Sequence, residues 1–306
     1  MRLRQLEAFR QVMLAGSVTR AAEVLRISQP GVSRLLAGLE RNLGFRLFVR
    51  RGGRVQSTPE AVSFLRHVEQ SFVGIDSLRQ AAADIASAKG ASLRMVAFPA
   101  ISLEMIPAAL SEFNRGYPDT RVSLTVTNSP RVAEQVSMLQ ADLGITTLPV
   151  ATNGLVIEFE LSLACVCALP PKHRLAKVRK VRAQDLQREA LVSLDASFAT
   201  ERRIRQILEG EGAGPRVVAE TSFSYSACEM VRQGAGVAIV DPITALAFKG
   251  RGVLFREFVP RVNFDIALIR PAHQEGSLTC YRMIGIVLPV LKSLPSRLEA
   301  MLHPRG

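Results

Sequence analysis

Within seven residues, Ser28, Gln29, Pro30, Ser33 and Arg34 bring together two hydroxyls, a carboxamide and a guanidinium. These groups hydrogen-bond to base edges and phosphate oxygens, so the chemistry on offer is contact with a nucleic acid rather than bond making. A second set gathers at the expected ends of strands. It comprises Ser102, Asn128, Ser129, Thr146 and Thr147 in one stretch, and Ser193, Ser197, Phe198, Ser222 and Ser224 in a later one. Positions of that kind lie beside helix N-termini, whose unpaired N–H groups and partial positive charge favour a carboxylate or another anion.

Charge supports the first set. Residues 1–58 hold eleven arginines, no lysine and three acids (Glu7, Glu23, Glu40), which places +8 of the chain's formal +12 in its opening part. A basic surplus concentrated in this way predicts a polyanionic partner. Other chemistries find no residues. The four histidines (His67, His173, His273, His303) lack metal-ligand spacing, and Cys165, Cys167, Cys228 and Cys280 make neither a disulfide framework nor a zinc site. There is no nucleophile elbow, phosphate-binding loop or dinucleotide fingerprint, so neither enzyme activity nor a cofactor is expected. The basic run KHRLAKVRKVR at 172–182 reads as a solvated loop.

The elements that must position these groups follow from periodicity. Apolar residues recur at helical spacing over 3–15, 19–25 and 29–43. Gly16 stops the first segment, Thr19 is the expected cap of the second, and Ser28 with Pro30 opens the third. A link of about three residues between the second and third makes a helix-turn-helix. Two extended runs around Gly52-Gly53 form a basic wing. Ser57 or Thr58 then caps a long helix whose Phe64, Val68, Phe72, Ile75, Leu78, Ala82 and Ile85 make a near-heptad seam that expects a partner helix. After a hinge at 89–92 the pattern changes to strands near 93–97, 122–126 and 143–146 alternating with helices, which is parallel α/β grammar. A second series follows, with strands near 164–169, 191–193, 217–219 and 237–240 and helices near 200–209 and 226–233, giving two α/β lobes. No run of eighteen apolar residues is present, and the opening MRLRQLEAFR lacks the core of a secretory signal, so a soluble cytoplasmic protein is expected.

These residues resemble the LysR-type transcriptional regulators. The resemblance is carried by LRQLEAF at 3–9, GSVTRAAEVL at 16–25, SQPGVSR at 28–34, LERNLGFRLF at 39–48 and Arg50-Arg51. In the back half it is carried by ADLGI at 141–145 and VRQGAGVAIV at 231–240. CALPPKH at 167–173 and DPITAL at 241–246 look closest to members that regulate lysine biosynthesis and opine catabolism. The resemblance implies a winged helix-turn-helix DNA-binding domain over 1–58 and a dimerisation helix over 59–89. It also implies a two-lobed, periplasmic-binding-protein-like effector domain over 90–306, with lobe one at 90–161 and 267–306 and lobe two at 162–266. It places base contacts at Gln29, Pro30, Ser33 and Arg34, phosphate contacts at Thr19 and Ser28, and wing contacts at Arg50, Arg51 and Arg54. Analogy with amino-acid-binding members favours Ser102, Asn128, Ser129, Thr147, Ser197 and Ser222 for the effector. Expected partners are double-stranded promoter DNA, a small carboxylate-bearing effector such as lysine or diaminopimelate, RNA polymerase, and further copies of the chain as homodimer or homotetramer. A two-lobed binding protein whose N-terminal region serves only dimerisation stays open as the alternative.

Overall fold

The computed structural model describes residues 1–51, 54–86, 92–196, 198–212, 214–272 and 276–303. The chain divides into two compact units, Met1–Ala88 and Lys89–Gly306.

The first unit holds α1 (Leu3–Ala15), α2 (Val18–Leu25), α3 (Gln29–Leu43), the antiparallel pair β1 (Phe48–Arg51) and β2 (Arg54–Ser57), and α4 (Pro59–Ala86). Gly16 ends α1 in the left-handed conformation, which costs glycine little. Ser17, not Thr19, caps α2; its hydroxyl accepts from the Arg20 N–H, and Thr19 lies inside the first turn. Ser28 caps α3 as expected, accepting from the Gly31 N–H at 3.3 Å. Thr58 caps α4 through the Ala61 N–H at 3.1 Å. The core is built from Phe9 and Val12 of α1, Ala21 and Ala22 of α2, and Val32, Leu36 and Leu39 of α3.

The seam expected to bind a partner helix is spent differently over its first half. Val68 and Phe72 of α4 are 2% and 5% exposed, and Phe64 and Ile75 pack on the same core, so this stripe closes the chain's own first unit. Arg10 adds a 2.8 Å ion pair to Glu69 and stacks over Phe72. The side chains of Leu78, Ala82 and Ile85 lie outside the described part. So do the Gly52-Gly53 turn and residues 89–91 of the expected hinge, while Ser92 opens the next strand.

The second unit runs β3 (Ser92–Ala97), a 3-10 turn (Ala100–Ser102), α5 (Met105–Gly116), β4 (Arg121–Val126), α6 (Ser129–Ser137), β5 (Leu143–Thr147), β6 (Leu155–Ala164) and β7 (Val166–Leu169). It continues through β8 (Lys180–Arg182), β9 (Ala190–Leu194), α7 (Ala199–Gly210), β10 (Arg216–Thr221), α8 (Ser224–Arg232), β11 (Val237–Val240) and α9 (Pro242–Ala247). It closes with β12 (Leu254–Val259), β13 (Asn263–Pro271) and α10 (Leu278–Leu302). One sheet has the order β4-β3-β5-β13-β6 and the other β10-β9-β11-β7-β12-β8. β3, β4 and β5 run parallel, as do β9, β10 and β11, with helical crossovers between them. The central strands β5 and β11 are buried along nearly their whole length, whereas the edge strand β4 alternates polar and apolar residues, as position in a sheet covered by helices requires.

Two chain crossings join the sheets, between β6 and β7 at Cys165 and between β12 and β13 at 260–262, tied by a Cys165 N–H to Val262 carbonyl bond. Because β6 runs to Ala164 and β13 begins at Asn263, boundaries at 161/162 and 266/267 fall inside these two strands. By length and composition α10 could cross a membrane. Its stripe of Met283, Ile284, Val287, Leu291, Leu294 and Leu298 instead covers the core of this unit.

Gly236, between α8 and β11, marks a close backbone approach: a Cβ there would sit 2.1 Å from the Ala190 carbonyl oxygen of β9. Gly236→Ala must push β9 and β11 apart, at a cost of about 1–3 kcal/mol. Thermal unfolding of the full chain should show a lowered midpoint for this variant.

Candidate functional site

α3 divides sharply between two faces. Val32, Leu36 and Leu39 are buried, while Ser28, Gln29, Pro30, Ser33 and Arg34 are all exposed. Burying three such side chains contributes roughly 1.5–3 kcal/mol each and fixes the rotation of the helix, so the polar residues form a stripe facing away from the core. Thr19 is exposed on the first turn of α2. Gly38, costly in a helix interior, has a local use: a Cβ there would lie 2.7 Å from the Gln5 amide nitrogen, and Gln5 bonds both the Arg2 N–H and Asn42. Glu40 was absent from the sequence candidates. One of its carboxylate oxygens accepts from the N–H groups of Leu47 and Phe48 at 2.7 and 3.1 Å, tying the start of the wing to α3. The wing pairs Arg50 with Val55 and Arg51 with Arg54, and the side chains of Arg50, Arg51 and Arg54 lie outside the described part.

In the second unit the predicted hydroxyls separate into engaged and open groups. Asn128 caps α6 through the Arg131 N–H at 3.1 Å. The Ser129 hydroxyl accepts from the Thr147 N–H at 3.1 Å and lies 2.7 Å from the Thr147 hydroxyl, so these three residues come together at the end of β5. Thr146 is fully buried and donates to the Ser129 carbonyl, which removes it from any ligand's reach. Ser102 donates to the Phe98 carbonyl inside the 3-10 turn, two residues short of Glu104, which precedes α5. Ser193, 3% exposed, donates to Glu201 at 2.6 Å and accepts from Arg205, a buried cluster rather than a ligand contact. Ser224 is likewise occupied, hydrogen-bonding to the buried Asp241. Ser222 is exposed, Phe198 stands exposed at the uncapped start of α7, and Ser197 lies outside the described residues.

Of the cavities among the described residues of this unit, two bear on the site. The larger, about 570 Å³, lies against the crossing at Ser162–Val166 and the end of α10. Part of its charge is met internally: Glu257 pairs with Lys180 at 2.8 Å and contacts His303 at 2.7 Å, and Lys180 above all holds its carboxyl below the usual range, while Arg261 and Glu299 also line the cavity. The smaller, about 350 Å³, is lined by Leu148 and Pro149 after β5, Thr200 and Arg203 of the first turns of α7, and Arg261, Asn263 and Asp265 at the second crossing. Its groups are more open. Arg261 bonds to Asn263 at 2.8 Å, whereas Thr200, Arg203 and Asp265 have no side-chain hydrogen-bond or ion-pair partner among the described residues. The cleft therefore adjoins the predicted Thr147 and Phe198 but is chemically defined by residues outside the predicted set. The one sequence signal for them is Asp265, a charge set into the otherwise apolar strand run Phe264 to Ile269.

Other possibilities close. Burial pushes the Cys167 thiol up to about 12 and Cys280 up to about 11, and raises Cys165 and Cys228 as well, so none supplies a thiolate near neutrality. Among the described residues no group of His, Cys, Asp and Glu could hold a metal ion. In the basic run, His173 and Arg174 pair with Glu189 and Lys180 with Glu257, which anchors it to its own lobe.

Residues 3–62 match the bacterial regulatory helix-turn-helix protein family of lysR type, and residues 86–292 match the LysR substrate binding domain. The chain is 34% identical over 300 residues to the transcriptional activator protein LysR of Escherichia coli (strain K12), covering 98% of this chain and 96% of that protein. It is 36% identical over 273 residues to the octopine catabolism/uptake operon regulatory protein OccR of Rhizobium meliloti, covering 89% and 90%. Among solved structures, full-length CbnR complexed with its target DNA superposes with a TM-score of 0.66 at 21% identity, covering 96% of this chain and all of that one.

Removing the Glu40 carboxylate leaves two amides at the base of the wing without their charged acceptor. Glu40→Ala should destabilise the first unit by about 1–3 kcal/mol. Urea denaturation reads the loss, and faster hydrogen exchange at the Leu47 and Phe48 amides localises it.

Proposed function

The chain belongs to the LysR family of DNA-binding transcriptional regulators, and from that premise we propose that α3 reads a promoter while the second unit captures a small carboxylate-bearing effector. In this reading Gln29, Pro30, Ser33 and Arg34 meet base edges in the major groove, Thr19 and Ser28 meet phosphates, and the wing's Arg50, Arg51 and Arg54 meet the backbone or the minor groove. The observation that carries it is the exposed and largely polar face of α3, held outward by Val32, Leu36 and Leu39 in the most arginine-rich part of the chain. A module serving only dimerisation has no need of such a face. The fold likeness to a DNA-bound regulator supports the same reading.

For the effector we favour an amino acid or a derivative, with lysine, diaminopimelate and opine-like molecules as the classes to which the similar regulators point. The cleft of about 350 Å³ has the size of small-ligand pockets, and the uncapped first turn of α7 presents N–H groups suited to a carboxylate. Asn128, Ser129 and Thr147 on one lobe and Ser197, Phe198 and Ser222 on the other are its proposed rim. A homodimer or homotetramer acting in the cytoplasm, with RNA polymerase as a further partner, completes the proposal.

DNA binding should weaken steeply with added salt, with a slope set by the number of phosphates neutralised. Arg34→Ala should cost about 1–3 kcal/mol and relax sequence preference, whereas Arg54→Ala should weaken binding uniformly across sequences. Footprinting at low salt tests this, and the absence of any protected promoter site overturns it. For the effector, thermal-shift measurements with amino acids should raise the unfolding midpoint; an effector at 100 times its Kd stabilises by about 2.7 kcal/mol. Stabilisation by aromatic or sugar ligands alone would contradict the carboxylate assignment.

A further inference from the structure

Asp265 carries a charge that no other described residue uses. It lies on β13 between the buried Phe264 and Ile266, is itself partly buried, and accepts no hydrogen bond or ion pair through its carboxylate among the described residues. A carboxylate partly withdrawn from water with no counter-charge adds nothing to the fold through its charge, which leaves that charge available to a ligand. Two cations line the same cleft, yet neither pairs with it: Arg261 is turned to Asn263, and Arg203 is free among the described residues. Charges of opposite sign thus face one cavity of about 350 Å³ without closing on each other.

We infer that this cleft recognises a molecule bearing opposite charges, with Asp265 binding its cationic nitrogen and Arg203, with the Thr200 hydroxyl beside it, binding a carboxylate. The inference deepens the effector reading above and rests on it. An ammonium or guanidinium on Asp265 restores the missing partner. A guanidinium suits the carboxylate because its planar N–H fork matches two oxygens at once. The arrangement also discriminates: a dicarboxylate or fatty acid of equal length would satisfy Arg203 but set a second anion or an apolar chain against Asp265. Selectivity would then come from one residue outside the strand-end hydroxyls, at a partly exposed position of β13 between the buried Phe264 and Ile266.

The test uses the full-length chain and matched ligands differing in nitrogen: diaminopimelate against pimelate, L-lysine against hexanoate, and octopine as a larger cationic member. Binding is read by calorimetry for wild type, Asp265→Asn and Arg203→Gln. The expected result is that wild type prefers the nitrogen-bearing member of a pair. Asp265→Asn should lose roughly tenfold or more in affinity for it, the scale of a hydrogen-bonded charge, and gain or keep affinity for the nitrogen-free partner. Arg203→Gln should weaken both. Because the Asp265 carboxylate has no internal partner among the described residues, the ligand-free unfolding midpoint of Asp265→Asn should match or exceed that of wild type, which separates lost recognition from lost folding. If only nitrogen-free carboxylates bind, or if Asp265→Asn leaves the nitrogen-bearing ligands unaffected, the inference falls while the carboxylate reading stands. If no carboxylate of either kind binds, both fall.

Discussion

The burial of Val32, Leu36 and Leu39 against Phe9, Val12, Ala21 and Ala22 is the contact on which the first unit depends. It fixes α3 about its own axis, and a helix whose rotation is fixed presents its opposite face at a defined angle. Because side chains repeat every 3.6 residues, sealing one stripe places Gln29, Ser33 and Arg34 on the exposed side together. The same core recruits the opening of α4 through Val68 and Phe72, so the long helix begins as part of the DNA-binding unit before it can serve anything else. Glu40 extends the order outward, since the residue that ends the buried stripe by one position also holds the backbone entering the wing.

In the second unit the corresponding constraint is backbone topology. Parallel strands with helical crossovers bring strand C-termini and helix N-termini to one edge, and two chain crossings close together leave two lobes joined by a narrow waist. The smaller cleft lies where β5 ends, α7 begins and the second crossing passes, so all three of its walls are consequences of that topology. Gly236 serves the same architecture from behind, letting β11 lie close against β9.

Much of this was legible beforehand, for identifiable reasons. The three opening helices are marked by apolar spacing, by Gly16, and by Ser28 with Pro30; the wing is marked by two short runs around two glycines. What escaped was of two kinds. β6, β12 and β13 carry charged residues such as Glu158, Glu160, Arg256 and Asp265 within their runs, which hides the strand pattern, and α10 contains Pro289 and Pro295, which ordinarily argue against a helix interior. Likewise α4 displays one apolar stripe, and periodicity alone does not say whether its own domain or a second chain covers it; Val68 and Phe72 show its own domain covering the first half, and the side chains of the second half lie outside the described part.

The candidate cleft exposes a deeper limit of residue type as a guide. Hydroxyls at strand ends can bind an anion, but the same capacity makes them useful to the fold, and Thr146, Ser193 and Ser224 are already engaged there. The carboxylates sharpen the contrast. Burial raises the pKa of Glu201, and Ser193 and Arg205 hydrogen-bond to it; burial raises that of Asp241, and Thr244 and Ser224 do the same. Each costly group in these two cases is surrounded by partners that make it tolerable, which is what a structural acid looks like. Among the described residues Asp265 has no such shell and faces a cavity in place of one. What distinguishes a binding group from a structural one here is the absence of internal satisfaction, a property of three-dimensional neighbours that neither the identity of a residue nor its spacing along the chain encodes.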